Sequence, residues 1–185
     1  MCSSVYEELQ AILGMEGPPE TCPDEVCRAM IRHWCEAVED ANPLYSDDEY
    51  ASETKYGAII APPAMMQAWS MPPLWPKGQE LKWRHLEALP KDMLLADPEI
   101  AVLQKLDLAG YTGVMATDTS MEFLRPLFLG DRGTSRKKFI AVTPEKQTRA
   151  GAGHFVTFMR SYTNQEGEKV CNQRFSVFKF RPTER

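Results

Sequence analysis

The sequence has no surplus of positive charge: 21 Lys and Arg against 26 Asp and Glu leave −5 at pH 7 over 185 residues. A phosphate footprint on nucleic acid needs a basic surface, so the balance argues against a general nucleic-acid binder. A small anionic ligand met by a local cluster is still allowed. Long apolar runs are also missing. The longest, around Ala58 to Met66, carries two prolines and falls far short of the roughly 20 residues that span a bilayer. Cysteine is sparse and unpaired: Cys2, Cys22, Cys27, Cys35 and Cys171 form no Cys-x-x-Cys, and His33, His85 and His154 are far from ligand spacing. Neither a disulfide framework nor a structural metal site is expected, and no cofactor is implied. The opening Met-Cys-Ser-Ser-Val-Tyr-Glu-Glu has no basic stretch leading into an apolar one. No signal peptide is therefore expected, and the expected compartment is the reducing cytoplasm.

What is present suits one globular domain, with 43% hydrophobic residues, enough to sustain a core. The first half reads as helices. Ser4 and Glu7 make a capping box ahead of Leu9, Ile12 and Leu13, with Gly14 as a stop, and Gly17 to Pro19 reads as a linker. A second helix opens at Thr21 or Asp24, places Val26, Ala29, Met30, Trp34, Ala37 and Val38 on one stripe, and breaks at Asn42-Pro43. A short turn of helix runs from Asp47 to about Lys55. Another segment starts at Pro63 and continues through Trp69, closed by Pro72-Pro73. Residues 76–96 look like a long excursion, and Asp97-Pro98 opens a last helix that ends at Gly110. After it the period changes to two. Strands are read at about 113–125, 131–143, 147–163 and 168–181, with hairpin turns at Thr143 to Lys146 and Asn164 to Gly167. Helices followed by an antiparallel sheet make an α+β fold. The expected organisation is a helix and linker over 1–20, the main domain over 21–181, and a tail over 182–185 resembling the start of a linker.

The informative segment is Trp34 to Ala51, where a helix ends, an acid follows, and Asn42-Pro43 turns the chain. The plainest reading is structural: Asp40 and Asn42 bond their own backbone and Tyr45 packs. The order Asp40-x-Asn42-Pro43-Leu44-Tyr45-x5-Ala51, however, resembles the signature of MaoC-like (R)-specific enoyl-CoA hydratases, Gly-Asp-x-Asn-Pro-Leu-His followed by five residues and a small one. The resemblance continues in Tyr56-Gly57-Ala58-Ile59-Ile60-Ala61-Pro62-Pro63 and in Glu122 to Asp131, and covers roughly residues 24 to 181. It implies a single hot-dog domain, a bent antiparallel sheet wrapped around a central helix. Two departures bear on mechanism: Glu39 stands where the family has Gly, and Tyr45 where it has His. In the family that His and Asp activate a water that adds to C3 of an enoyl thioester, with a proton delivered at C2. A base needs a pKa near working pH, which His supplies and Tyr, near 10, does not.

Such His-to-Tyr variants resemble the non-catalytic halves of heteromeric hydratases, in particular the MaoC-type half of actinobacterial steroid side-chain enzymes. The resemblance implies a partner with the intact Asp/His motif, as heterodimer or dimer of heterodimers, with this chain shaping the acyl tunnel for a bulky 2-enoyl-CoA. Asp40, Asn42 and Tyr45 would be vestigial. Pro62, Met65, Met66, Trp69 and Trp75 are candidate tunnel residues, with core packing as the plain alternative. Arg132, Arg136 and Lys137, beside Lys138, form the densest basic patch; they read as a charged strand edge or as a landing site for coenzyme A phosphates. His154 is the histidine left open for a role. Gly151-Ala152-Gly153, lying within a strand pattern, reads as a bulge or close backbone approach. Two other functions compete: a self-sufficient homodimeric hydratase or thioesterase using Asp40, and an acyl-CoA binding module.

Overall fold

The computed structural model describes residues 4–71 and 96–182. Trp75, Pro72-Pro73, His85 and the excursion up to residue 95 lie outside the described residues. Helix α1 spans Val5–Ala11 with the Ser4/Glu7 capping box formed, and α2 spans Arg28–Val38. A 3-10 turn at Pro43–Tyr45 precedes α3, Asp48–Glu53. Another 3-10 turn, Pro63–Met65, runs into the four-residue α4, Met66–Trp69. Helix α5, Pro98–Leu108, has Asp97 as its cap and proline at its first position.

The strands are β1 (Glu20–Thr21), β2 (Gly113–Phe123), β3 (Thr134–Val142), β4 (Lys146–Thr148), β5 (Gly151–Thr163) and β6 (Lys169–Pro182). They form one antiparallel sheet in the order β1-β3-β5-β6-β2, with β4 also on β5. The α+β reading stands.

Two local expectations give way. The second helix opens at Arg28, not at Thr21 or Asp24. The residues before it are drawn out by backbone bonds: Glu20 and Thr21 pair with β3, Cys22 N donates to Gly133 O, and Val26 N to Asp131 O. Its buried anchor is Ile31, with Met30 and Trp34 packed beside it, while Val38 is half-exposed. The hairpin expected at Thr143 to Lys146 is a straight continuation. Pro144 interrupts the ladder without reversing the chain, because Thr143 N still donates to Phe155 O and β4 resumes pairing with β5. The reversal comes at Arg149-Ala150, where Gly151 has φ +137°. At Gly153 a Cβ would lie 2.1 Å from Lys179 O, so the close-approach reading of these glycines stands. The Asn164–Gly167 turn is as expected, with Asn164 Oδ1 accepting from Glu166 N and Glu168 N.

Two apolar clusters are buried in the fold. One joins Ile31, Ala51, Ile59, Met65, Met66 and Trp69 to Tyr162, Val170 and Cys171; the other joins Leu9, Val102 and Leu106 to Phe139, Val156 and Val177. Side chains alternate along a strand, so Val156, Phe158, Arg160 and Tyr162 of β5 share one face, and a polar belt separates the clusters there. In that belt Tyr162 donates to Gln173 at 2.9 Å, Lys137 bonds Asp97 and Glu20, and Arg160 bonds Glu99.

Two positions are strained or tight. Helix α2 closes on Glu39 in the left-handed region (φ 57°), the one non-glycine with positive φ among the described residues. That conformation costs an L-residue about 1–2 kcal/mol, and glycine much less. This is a physical reason for a glycine at this place in the resembling signature. Gly133 faces the indole of Trp69, and a Cβ there would sit 2.2 Å from the ring. Glu39→Gly is therefore expected to raise stability by about 1 kcal/mol, and Gly133→Ala to lower it by about 1–3 kcal/mol, both read from urea denaturation midpoints at constant slope.

Candidate functional site

The motif sits on the turn that α2 releases. Asp40 N donates back to Cys35 O, and Asp40 Oδ1 accepts from Asn42 N at 3.1 Å. Asn42 Oδ1 in turn accepts from Leu44 N at 3.1 Å, capping the 3-10 turn whose first residue is Pro43. Asp40 and Asn42 thus do the backbone work of the plain reading. The same turn swings Tyr45 inward, half-buried against the first apolar cluster. Burial, and then the neighbouring Asp40 carboxylate, push the Tyr45 hydroxyl above its ordinary value.

A cavity of about 730 Å³ opens beside the turn, lined by Arg28, Arg32, Cys35, Asp40, Asn42 and Tyr45 among others. All three motif residues share it. Its rim is mixed in charge, because Arg28 pairs with Asp48 at 2.5 Å and Arg32 with Glu36 at 3.2 Å. Neither described histidine lines it. His33 is exposed next to Arg32. His154 is buried against Tyr6 and Tyr111, with Nδ1 2.9 Å from Thr143 O and Nε2 unpartnered among the described residues.

A second cavity, of about 230 Å³, lies where the segment after α3 meets the end of β2. Tyr56, Ile60, Pro62, Met66, Phe123 and Arg125 contribute to its wall. Ala61 N donates to Leu127 O, and Ile60 bridges Phe128, so the two walls are tied by backbone bonds. Of the candidate tunnel residues, Pro62 and Met66 line this cavity. Met65 and Trp69 sit in the core at 2% and 1% exposure, and the Trp69 indole donates to Asp24 O. Trp75 lies outside the described residues.

The basic patch is distributed among partners. Burial opposes the charge of Lys137, but its bonds to Asp97 at 2.6 Å and Glu20 at 3.1 Å outweigh that and raise its pKa. Arg136 and Lys138 both meet Glu16. Arg132 is exposed, its backbone N–H bonded to Gln165.

Residue-by-residue reading did not single out Tyr56, Phe123 or Arg125. The signal for them was at hand, since all three lie in the two runs that carry the resemblance. Nothing in the sequence marks Arg28 or Cys35, which reach the larger cavity only through the helix that carries them.

Similar proteins bear on the family and the fold. Residues 11–173 match the family model described as FAS1-like, dehydratase domain region. The chain is 38% identical over 188 residues to a probable enoyl-CoA hydratase alpha subunit of Thermomonospora curvata, covering 98% of this chain and 54% of that one. It is 33% identical over 182 residues to the 3-oxo-4,17-pregnadiene-20-carboxyl-CoA hydratase alpha subunit of Mycobacterium tuberculosis, covering 97% of this chain and 53% of that one. The chain thus spans about half the length of these relatives. A chain in the crystal structure of the ChsH1-ChsH2 complex from Mycobacterium tuberculosis superposes with a TM-score of 0.80 at 30% identity, covering 98% of this chain and 93% of that one. An (R)-hydratase from A. caviae, at TM-score 0.54 and 17% identity over 89% of this chain and 94% of that one, shares the fold. With a family match over most of its length, a single hot-dog domain in the structure and the Asp40–Tyr45 turn at a cavity, this chain belongs to the FAS1-like dehydratase family of MaoC-type hot-dog proteins.

Proposed function

We propose that this chain is the non-catalytic, tunnel-forming subunit of a heteromeric enoyl-CoA hydratase acting on a bulky 2-enoyl-CoA, with a steroid side chain as the acyl class. The observation that carries the reading is Tyr45 in the place of the family's histidine. Hydration needs a base to take a proton from water as its oxygen attacks C3. A phenol whose pKa burial pushes above its ordinary value holds its proton at neutral pH and does not serve. The partner's Asp and His would activate the water and deliver the C2 proton, while this chain walls the acyl group.

A further structural feature supports it. Strand β2 pairs only with β6 among the described residues, and Val114, Met115 and Phe123 on it are 60%, 48% and 45% exposed. Such an open, partly apolar edge accepts a strand of a second subunit. The relatives named as alpha subunits, and the two-component complex, point the same way.

A second reading, a self-sufficient hydratase or thioesterase, is favoured by one observation: Asp40 is retained and faces the larger cavity. The two differ in a single assay, the loss of conjugated thioester absorbance from an enoyl-CoA. The chain alone is expected to show no turnover, and a partner with the intact Asp-x-Asn-Pro-x-His motif to restore it. Turnover by the chain alone that Asp40→Asn abolishes would overturn the proposal. Tight acyl-CoA binding with no hydration, even with such a partner, would leave a binding module. In the complex, Tyr45→Phe is expected to change kcat less than about twofold, against the 100-fold or more that loss of a general base costs.

The phenol itself gives a pH signature. With its folded pKa raised, Tyr45 favours the folded state fully below the unfolded value near 10, and that contribution is lost as pH rises through the folded value. Burial raises Tyr111 and Tyr162 as well, so tyrosinate absorbance should show a component titrating later than free tyrosine that shrinks by one tyrosine in Tyr45→Phe.

A further inference from the structure

We propose that the 230 Å³ cavity at the end of β2 is a recognition site for a neutral carbonyl oxygen carried on an apolar group, with Arg125 and Tyr56 as the donors. The inference rests on the acyl-CoA reading above and names what that substrate presents to this wall.

The cavity lining is apolar apart from two side chains. Ile60, Pro62, Met66, Phe123 and Leu127 supply the hydrocarbon surface, and Arg125 is the one charged residue on it. Backbone donors are scarce. Pro62, Pro63 and Pro126 have none, and the N–H groups of Ala61, Leu124 and Arg125 are bonded to Leu127 O and Val170 O. The side-chain donors here are the Tyr56 hydroxyl and the Arg125 guanidinium.

Arg125 is held in place by its other atoms. Its Nη1 donates to Asp131 Oδ2 at 2.9 Å and to Pro126 O at 3.3 Å, and its Nε meets Glu168 at 3.0 Å. The guanidinium also lies over the Phe128 ring, 5.5 Å from its centre. Nη2 has no partner among the described residues, and neither has the Tyr56 hydroxyl. A pre-positioned donor loses little freedom on binding.

The charge decides the ligand class. One guanidinium faces two carboxylates, Asp131 and Glu168, and Lys55 Nζ lies 5.0 Å from the centre of the Tyr56 ring, so the charges around the cavity cancel. A phosphate or carboxylate would find the guanidinium's charge already answered, whereas a neutral carbonyl needs donors and no counter-charge. Size sets the rest. At about 30 Å³ per water, 230 Å³ holds a ring or a short acyl segment, not a whole acyl-CoA. Phe123 and Leu124, at 45% and 47% exposure on its rim, lie on the edge offered to a partner subunit, which would close the site from water and strengthen both bonds.

Such a carbonyl has two sources, an oxo group on the acyl moiety or an amide of the pantetheine arm. Calorimetric titration of the full chain, alone and with its partner, separates them with three probes: cyclohexanecarboxyl-CoA, 4-oxocyclohexanecarboxyl-CoA and coenzyme A. An acyl source gives about tenfold tighter binding of the oxo probe. That preference falls several-fold in Tyr56→Phe and disappears in Arg125→Lys. A pantetheine source gives equal binding of the two acyl probes, with all three weakened alike in both variants. Binding unchanged in both variants overturns the inference and leaves the acyl-CoA reading standing. No binding of any probe, with no turnover in the presence of the partner, overturns that reading as well. Tyr56→Phe keeps the test valid if Arg125→Lys disturbs the fold, because the Tyr56 hydroxyl holds nothing else in place.

Discussion

One buried carboxylate organises the functional half of the molecule. Asp131, 4% exposed, accepts from Arg125 Nη1, from Phe128 N and from Gln165 Nε2. Its backbone oxygen accepts from Val26 N, just ahead of α2. That single residue joins four pieces of chain: the end of β2, the loop to β3, the β5–β6 turn and the approach to the helix that delivers Asp40 and Tyr45. Leu127 in the same loop receives Ala61 N, so the proline-rich segment is held to it as well. A buried acid is costly unless paired and bonded, and here it is both. The smaller cavity takes Arg125 and Leu127 of its wall from this arrangement.

The sheet carries a related compromise. A continuous apolar face would pack helices without preference for place. Arg160 and Tyr162 interrupt it, and the belt of Lys137, Asp97, Glu20, Glu99 and Gln173 keeps α1 and α5 on one cluster and α2 and α4 on the other. Asp97 serves twice, capping α5 through Oδ1 and receiving Lys137 through Oδ2. The basic patch of the sequence is thereby largely a set of structural ion pairs, and Lys137 in particular is drawn into the belt.

Element types were legible wherever local chemistry is strong. The Ser4 capping box, the Asp97-Pro98 start of α5 and the Asn164–Gly167 turn all form as their residues dictate. Misreadings arose where a distant strand competed. Residues 20–26 look like a helix start but bond to β3 and its loop. Pro144 looks like a turn but lies on a straight edge, because β5 continues to bond the strand on both sides of it. The site was legible in part for the same reason. The Asp40-Asn42-Pro43-Tyr45 turn is built from bonds only two to five residues long, so its form follows from its own letters. The cavities are not local, since Tyr56 and Arg125 are 69 positions apart in the sequence and meet only through the Asp131 loop.

The amino-acid sequence by itself determined the α+β order, the turn that presents Asp40 and Tyr45, and the replacement of an ionisable imidazole by a phenol. Each of these depends on neighbours within a few residues or on a side chain's own chemistry. The tertiary structure alone decided which cations are free, which apolar residues are wall and which are core, and that Arg125 has a donor to spare beside a cavity. Those properties depend on distances between residues far apart in the chain, and only the folded sheet with its buried carboxylate sets them.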